Sequence, residues 1–172
     1  MSQQTQSSMK KISLDKIVLN MGIGKSGEPI ETGKTALGQI TGKKPNTRNA
    51  KKSLRDWGVR KGEPIGVAVT IRGNDATELL KKLLVAKDAQ INERAFDNEG
   101  NLSFGIKEHI DIPEIKYDPK IGILGLEVSI SLARPGFNIK FNKSKARVGK
   151  NHRITKNDAI KFLTEEFGVK VV

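Results

Sequence analysis

The chain of 172 residues has no cysteine. Disulfides, thiolate metal ligands and thiol nucleophiles are therefore excluded, in keeping with a reducing cytosol. Aromatic residues make up only 5%, with one tryptophan and one tyrosine. A sheet carrying paired rings to stack single-stranded bases, the common RNA-recognition device, is not expected. The two histidines, His109 and His152, are isolated from each other. Glu108, Asp111 and Glu114 are neighbours, but without a histidine or cysteine cluster they read as surface charge. Calcium would need more oxygen ligands at regular spacing. No catalytic residue, metal or cofactor is expected. No apolar run approaches the roughly 20 residues of a membrane span, so no membrane partner is expected either. The opening MSQQTQSS lacks an apolar segment and reads as a disordered lead-in over residues 1–8, not a secretory signal. Residues 9–172 read as one domain, with residues 137–156 as a basic extension.

The charge that is present is bunched. Lys43 to Lys61 carries eight cations against one acid, Asp56, and Phe137 to Lys156 carries seven cations and no acid. The whole chain has a net charge of +12, so everything outside these stretches is close to neutral. Localised positive field is what a polyanion requires, whereas charge serving only solubility would be scattered. Neither stretch keeps a helical apolar face, which argues against a helix in the DNA major groove. Binding is expected through phosphates, 2′-hydroxyls and the shape of folded RNA.

Hydrophobic periodicity outlines the fold. Ile17, Leu19, Met21 and Ile23 alternate with Lys16, Val18, Asn20 and Gly22, predicting a strand. Pro29 to Thr41 has helical spacing, with Gly42 placed to close it. KPNTRNA, Lys44 to Ala50, reads as a short polar edge strand with Pro45 near its start, followed by a long loop to Pro64. Loops of that length inside a small domain are usually functional. Ile65, Val67, Val69 and Ile71 predict a clear strand. Asn74 is the expected cap of a helix buried through Ala76, Leu79, Leu80, Leu83 and Leu84. Asp97 to Asn101 reads as a hairpin tip before a strand through Leu102, Phe104 and Ile106. Ile110 and Ile112 are expected to extend or pair with that strand, which puts His109 on a strand. Leu126, Val128, Ile130 and Leu132 predict another strand. Thr155 with Asp158 forms a variant capping box for a final helix, buried through Ala159, Ile160, Leu163 and Phe167. The expected class is α+β, a mostly antiparallel or mixed sheet with helices packed on one face. The other face would hold Asn20, Gly22, Gly66, Ala68, Thr70, Ser103, Gly105, Ser129 and Ser131, small enough for a nucleic-acid backbone to approach.

Two motifs admit rival readings. Gly22, Gly24 and Gly27 match G-x-G-x-x-G after a strand. A dinucleotide site also wants an acid roughly 20 residues on, where this chain has KKPNTRN; Arg48 could instead meet a 2′-phosphate, giving an NADP-binding enzyme as an alternative. Absence of repeated strand–helix–strand units weighs against it. Trp57, inside the first basic stretch, is expected to pack the loop onto the body rather than stack on a base. A non-specific nucleic-acid coat protein is the other alternative.

Six blocks in order, IVLNMGIG, ITGKKPNTRNAKKS, EPIGVAVTIRG, FGIKEHIDIPEIKYDP, GLEVSISLARPG and GKNHRITKNDAIKF, carry a resemblance to the 5S rRNA-binding proteins of the large ribosomal subunit. These are the L-five family of bacteria and archaea, L-eleven in eukaryotes. The resemblance runs from about Met9 to Val169, and GKNHRITK looks archaeal. It implies a cytoplasmic large-subunit protein whose open sheet face meets 5S rRNA in the central protuberance. The implied rRNA-binding residues are Lys16, Asn20, Gly22, Gly24, Lys43, Thr47, Arg48, Arg72 and Arg134. From the basic extension come Lys140, Lys143, Lys145, Arg147, Lys150, His152 and Arg153. The loop from about Ala50 to Gly62 would face the P-site tRNA with Lys51, Lys52, Arg55, Trp57, Arg60 and Lys61. Ile112 to Gly122 is similar to the segment facing a small-subunit protein across an intersubunit bridge. Other large-subunit rRNA and neighbouring large-subunit proteins complete the implied partners. FNIKFNKSKAR is less arginine-rich than the archaeal pattern, which argues against specific bidentate contacts there.

Overall fold

The structure is a computed structural model that describes residues 7–24, 26–115, 117–142 and 146–172. Residues 1–6 of the expected lead-in lie outside this range, and Ser8–Lys10 forms a short 3-10 turn.

β1 (Ser13–Gly22) buries Ile17, Leu19 and Met21 on one face. α1 (Glu28–Thr41) begins one residue before the predicted Pro29 and ends at Gly42, which takes the left-handed conformation and donates its N–H to the Gly38 carbonyl at 2.8 Å. β2 (Asn46–Asn49) is an edge strand within the predicted Lys44 to Ala50 and begins only after Pro45. β3 (Pro64–Ile71) buries Val67, Val69 and Ile71. α2 (Asn74–Val85) buries the five predicted residues. Its cap is Gly73, with φ of 73° and no side-chain capping bond, and not the predicted Asn74. The chain reverses directly from β3 into the helix, and the reversal demands a left-handed residue one position earlier. β4 (Gln90–Ile91) follows.

The predicted hairpin tip is present: the Asp97 N–H donates to the Asn101 carbonyl at 2.9 Å, below a bridge between Phe96 and Leu102. β5 (Leu102–Ile106) then leaves it. Here the structure corrects the sequence reading. Ile110 and Ile112 neither extend nor pair with β5, and His109–Asp111 is a 3-10 turn. His109 is buried, donates its backbone N–H to the Leu124 carbonyl at 3.1 Å and accepts the Leu124 N–H on Nδ1 at 3.3 Å. This clamp turns the chain inward and carries Ile112 into the core from a turn. β6 (Leu126–Ala133) buries Leu126, Val128, Ile130 and Leu132. α3 (Lys156–Phe167) has both bonds of the predicted Thr155–Asp158 capping box and closes at Gly168. β7 (Lys170–Val171) pairs with β4 in parallel.

The main sheet has the order β2-β3-β1-β6-β5, and every neighbouring pair is antiparallel. β1 and β2 run parallel to each other but are held apart by β3. α1 packs on β3 and α2 on β1. Together with Ala159 and Leu163 of α3 they cover one face of the sheet in a continuous core. The other face is left open.

Candidate nucleic-acid interface

Strand register assembles the open face row by row. Arg48, Gly66 and Gly22 lie side by side, then Asn46, Ala68, Asn20, Glu127 and Gly105, then Thr70, Val18, Ser129 and Ser103. Lys16 stands opposite Ser131 further along. All nine small residues named from the sequence share this surface. The register adds Asn46, Val18 and Glu127, none of them among those nine. Their strand parity was visible, but nothing in these residue types marked it. Asn20 donates to the Glu127 carboxylate at 3.3 Å, and the hydroxyls of Ser103 and Ser129 lie 3.3 Å apart. Small size here also serves the fold: a Cβ on Gly66 would sit 2.8 Å from the Met21 carbonyl oxygen.

Thr47 stands apart from this set. It pairs with Val67, whose side chain is in the core, so Thr47 points to the helix side while Arg48 points to the open side. Alternation within four residues forces this separation.

The long loop is built as a hairpin. The Ala50 N–H donates to the Glu63 carbonyl at 2.8 Å, the Gly62 N–H to the Ala50 carbonyl at 2.9 Å, and Leu54 bridges Val59. A 3-10 turn at Arg55–Trp57 makes its tip, ended by left-handed Gly58. The Glu63 carboxylate anchors the base, accepting the Ser26 hydroxyl at 2.6 Å and the Arg60 N–H at 2.9 Å. Those two bonds, with the Arg60 charge, hold its carboxyl below the ordinary range against the opposing effect of desolvation. Lys51, Lys52, Arg55, Arg60 and Lys61 are all exposed, and among the described residues no carboxylate forms an ion pair with them. Trp57 overturns the expectation that it packs the loop down: it is 78% exposed. The Leu54–Val59 bridge closes the hairpin on itself and carries its tip clear of the core.

Other predicted cations are already engaged. Lys43 pairs with Asp75 at 2.6 Å, and its hydrogen bond and charge hold the Asp75 carboxyl below its usual range. Arg72 pairs with Asp15 at 3.0 Å, and Lys140 with Glu99 at 3.4 Å. Arg134 has a side chain only 10% exposed, paired to Asp158 at 3.1 Å and donating to the carbonyls of His152 and Arg153. It ties the second basic stretch to α3, and little of its side chain is left exposed. The Nε2–H of His152 donates to the Pro135 carbonyl at 2.8 Å, and its ring meets Phe137 edge to face. Arg153 remains exposed, with Nε donating to the Val148 carbonyl at 3.3 Å. Arg147 and Lys150 are exposed and free of ion pairs among the described residues. Lys143 and Lys145 lie outside the described residues.

The hairpin leaves the sheet where β1 ends, and the second basic stretch leaves it where β1 begins. The two clusters are thus at opposite ends of the strands, connected by the open face and its cations Lys16, Arg48 and Arg72. The glycine motif offers no dinucleotide site. The strands on both sides of β1 are antiparallel to it, where a dinucleotide fold needs parallel neighbours. Gly24 instead has φ of 77° and donates its N–H to the Ile65 carbonyl at 2.8 Å, fastening β1 to β3.

Comparison with known proteins bears on the same surface. Residues 7–60 match the profile of ribosomal protein L5, and residues 64–162 match the profile of that ribosomal family's C-terminus. The chain is 65% identical over 172 residues to large ribosomal subunit protein uL5 of Nitrosopumilus maritimus, covering 99% of each chain. It is 60% identical over 165 residues to the protein of that name from Cenarchaeum symbiosum, covering 95% of this chain and 98% of the relative. The Sulfolobus acidocaldarius protein is 45% identical over 165 residues, with 95% and 93% covered. An open antiparallel face flanked by two cationic clusters, on a chain matched by both halves of one family, leads to a single assignment: the chain belongs to the ribosomal protein L5 family in its archaeal form, a structural ribosome component and not an enzyme.

Proposed function

We propose that this chain, as a constituent of the large subunit of the cytoplasmic ribosome, binds 5S rRNA in the central protuberance through the open sheet face. The observation that carries this reading is a face of small residues with Arg48 and Lys16 at its ends, both free of ion pairs among the described residues. Arg48, Asn20, Gly22 and Gly24 lie at the hairpin end, and Lys16 lies at the other. Arg147, Lys150 and Arg153 extend the positive surface beyond it. The exposed hairpin with Lys51, Lys52, Arg55, Arg60 and Lys61 reaches away from the sheet to contact the P-site tRNA. The segment from Ile112 to Gly122 is held by buried Ile112 and Ile121 and displays Tyr117; Lys116 lies outside the described residues. That segment faces a small-subunit protein across an intersubunit bridge. Large-subunit rRNA and neighbouring proteins of the subunit surround the remainder.

A competition at matched salt between 5S rRNA and bulk tRNA tests the central claim. Strong preference for 5S rRNA is expected. Equal affinity for 5S rRNA, tRNA and random duplex would replace this reading with that of a non-specific coat protein.

A further inference from the structure

Phosphate neutralisation accounts for the cations but not for a large apolar ring left in solvent within the second basic stretch. Phe141 is 79% exposed. Burial would stabilise such a side chain, and an aromatic ring beside a cationic groove is the group on which a nucleobase stacks when RNA is bound. It borders a groove of about 280 Å³ at the end of the open face, lined also by Lys16, Ser131, Asn101, Asn138 and Lys140. The hydroxyl and two amides supply donors and acceptors for a base edge, and the two ammonium groups supply charge for its phosphates. Lys140 is held at this place by Glu99 at 3.4 Å and sits 5.7 Å from the centroid of the Phe137 ring, which forms the inner wall. Asp15, the acid on the groove wall, is already compensated by Arg72 at 3.0 Å.

We infer that Phe141 and this groove hold one unpaired nucleotide of the RNA that the open face binds, with the base stacked on the Phe141 ring. The inference rests on the proposed RNA-binding reading and adds a stacking contact to it. It also revises the expectation that this scaffold binds RNA without stacking: the ring is supplied by the segment after β6 and not by the strands.

The test is 5S rRNA affinity of full-length Phe141→Ala, Phe141→Leu and Phe141→Trp variants at one salt concentration, each repeated over a salt series. Since Phe141 is exposed, all three should melt with the parent. Loss of the ring should weaken binding about tenfold with an unchanged salt slope. Leucine should fail to restore it, and tryptophan should restore it. In a Trp57→Phe background, the Phe141→Trp fluorescence should be quenched on RNA addition. Affinity unchanged in Phe141→Ala, or fully restored by leucine, overturns stacking, the latter in favour of a merely apolar contact. Unchanged RNA affinity with failed incorporation into large subunits overturns it in favour of a protein neighbour. Absence of 5S preference in the parent chain would instead remove the reading beneath it.

Discussion

For the arginines read as RNA-binding, position rather than residue type decides the role. Arg134 and Arg153 both look like RNA-binding cations in sequence, yet Arg134 is buried against Asp158 and two carbonyls. Replacing it with methionine leaves Asp158 without its partner and the carbonyls without a donor. A loss on the order of 2–3 kcal/mol is expected, read as a fall in Tm of about 5–10 °C, with little change in RNA affinity after correction for the folded fraction. Arg153→Met should do the reverse. Asp158 gives the matching pH dependence. Burial pushes its carboxyl up, but hydrogen bonds from Thr155 and the charge and hydrogen bond of Arg134 outweigh burial and leave it below the usual value. A carboxyl depressed in the folded state adds stability above its unfolded pKa of about 3.9 and loses it as pH falls through the folded value. Thermal melts of Asp158→Asn should therefore lie below the parent at neutral pH, and the gap should narrow progressively as pH falls below about 4.

At the scale of elements, the hairpin and the sheet face should separate experimentally. Lys51→Ala/Lys52→Ala/Arg55→Ala removes three exposed cations from the hairpin. Binding to tRNA and tRNA-dependent function should weaken more than 5S binding; a collapse of 5S binding alone would reassign the hairpin to rRNA. Gly22→Leu should do the opposite. Gly22 is exposed, and a Cβ there meets nothing within 4 Å, so the fold tolerates it while the flat approach is obstructed. A drop in 5S affinity of about tenfold or more, worth about 1.4 kcal/mol, is expected with circular dichroism unchanged. Elements whose signals are local were legible in the sequence. Thr155 with Asp158 announces its helix because both partners of the capping box lie within one turn. The alternation through Val67, Val69 and Ile71 announces β3 for the same reason. What failed depended on distant residues. Ile110 and Ile112 alternate like a strand, but His109 bonding to Leu124 bends them away. Trp57 carries no mark of whether the body can reach it, and Arg134 none of the carboxylate it meets in space.

For the whole molecule, the electrostatic footprint sets the quantitative expectation. If about eight cations contact phosphates, the logarithm of 5S affinity should fall against the logarithm of salt with a slope of roughly −6 to −7. A slope near zero would contradict a phosphate-dominated interface. The connected arrangement of two clusters and a face was only half readable from composition. The sequence shows two bunches of like charge, but their separation to opposite strand ends, and their joining by the open side, follow from register.

The placement of β1 has a consequence for the birth of the chain. Its two flanking partners are supplied by residues made much later: Ile17 pairs with Ile71 on one side and with Ile130 on the other. With polypeptide synthesis at about 5–20 residues per second, the second flank arrives on the order of ten seconds after β1 has been made. In that interval the edge of β1 that β6 will cover has unpaired hydrogen-bonding groups, the condition under which nascent chains associate with one another. A protein that helps build the translation machine thus passes the early part of its own translation in need of shelter.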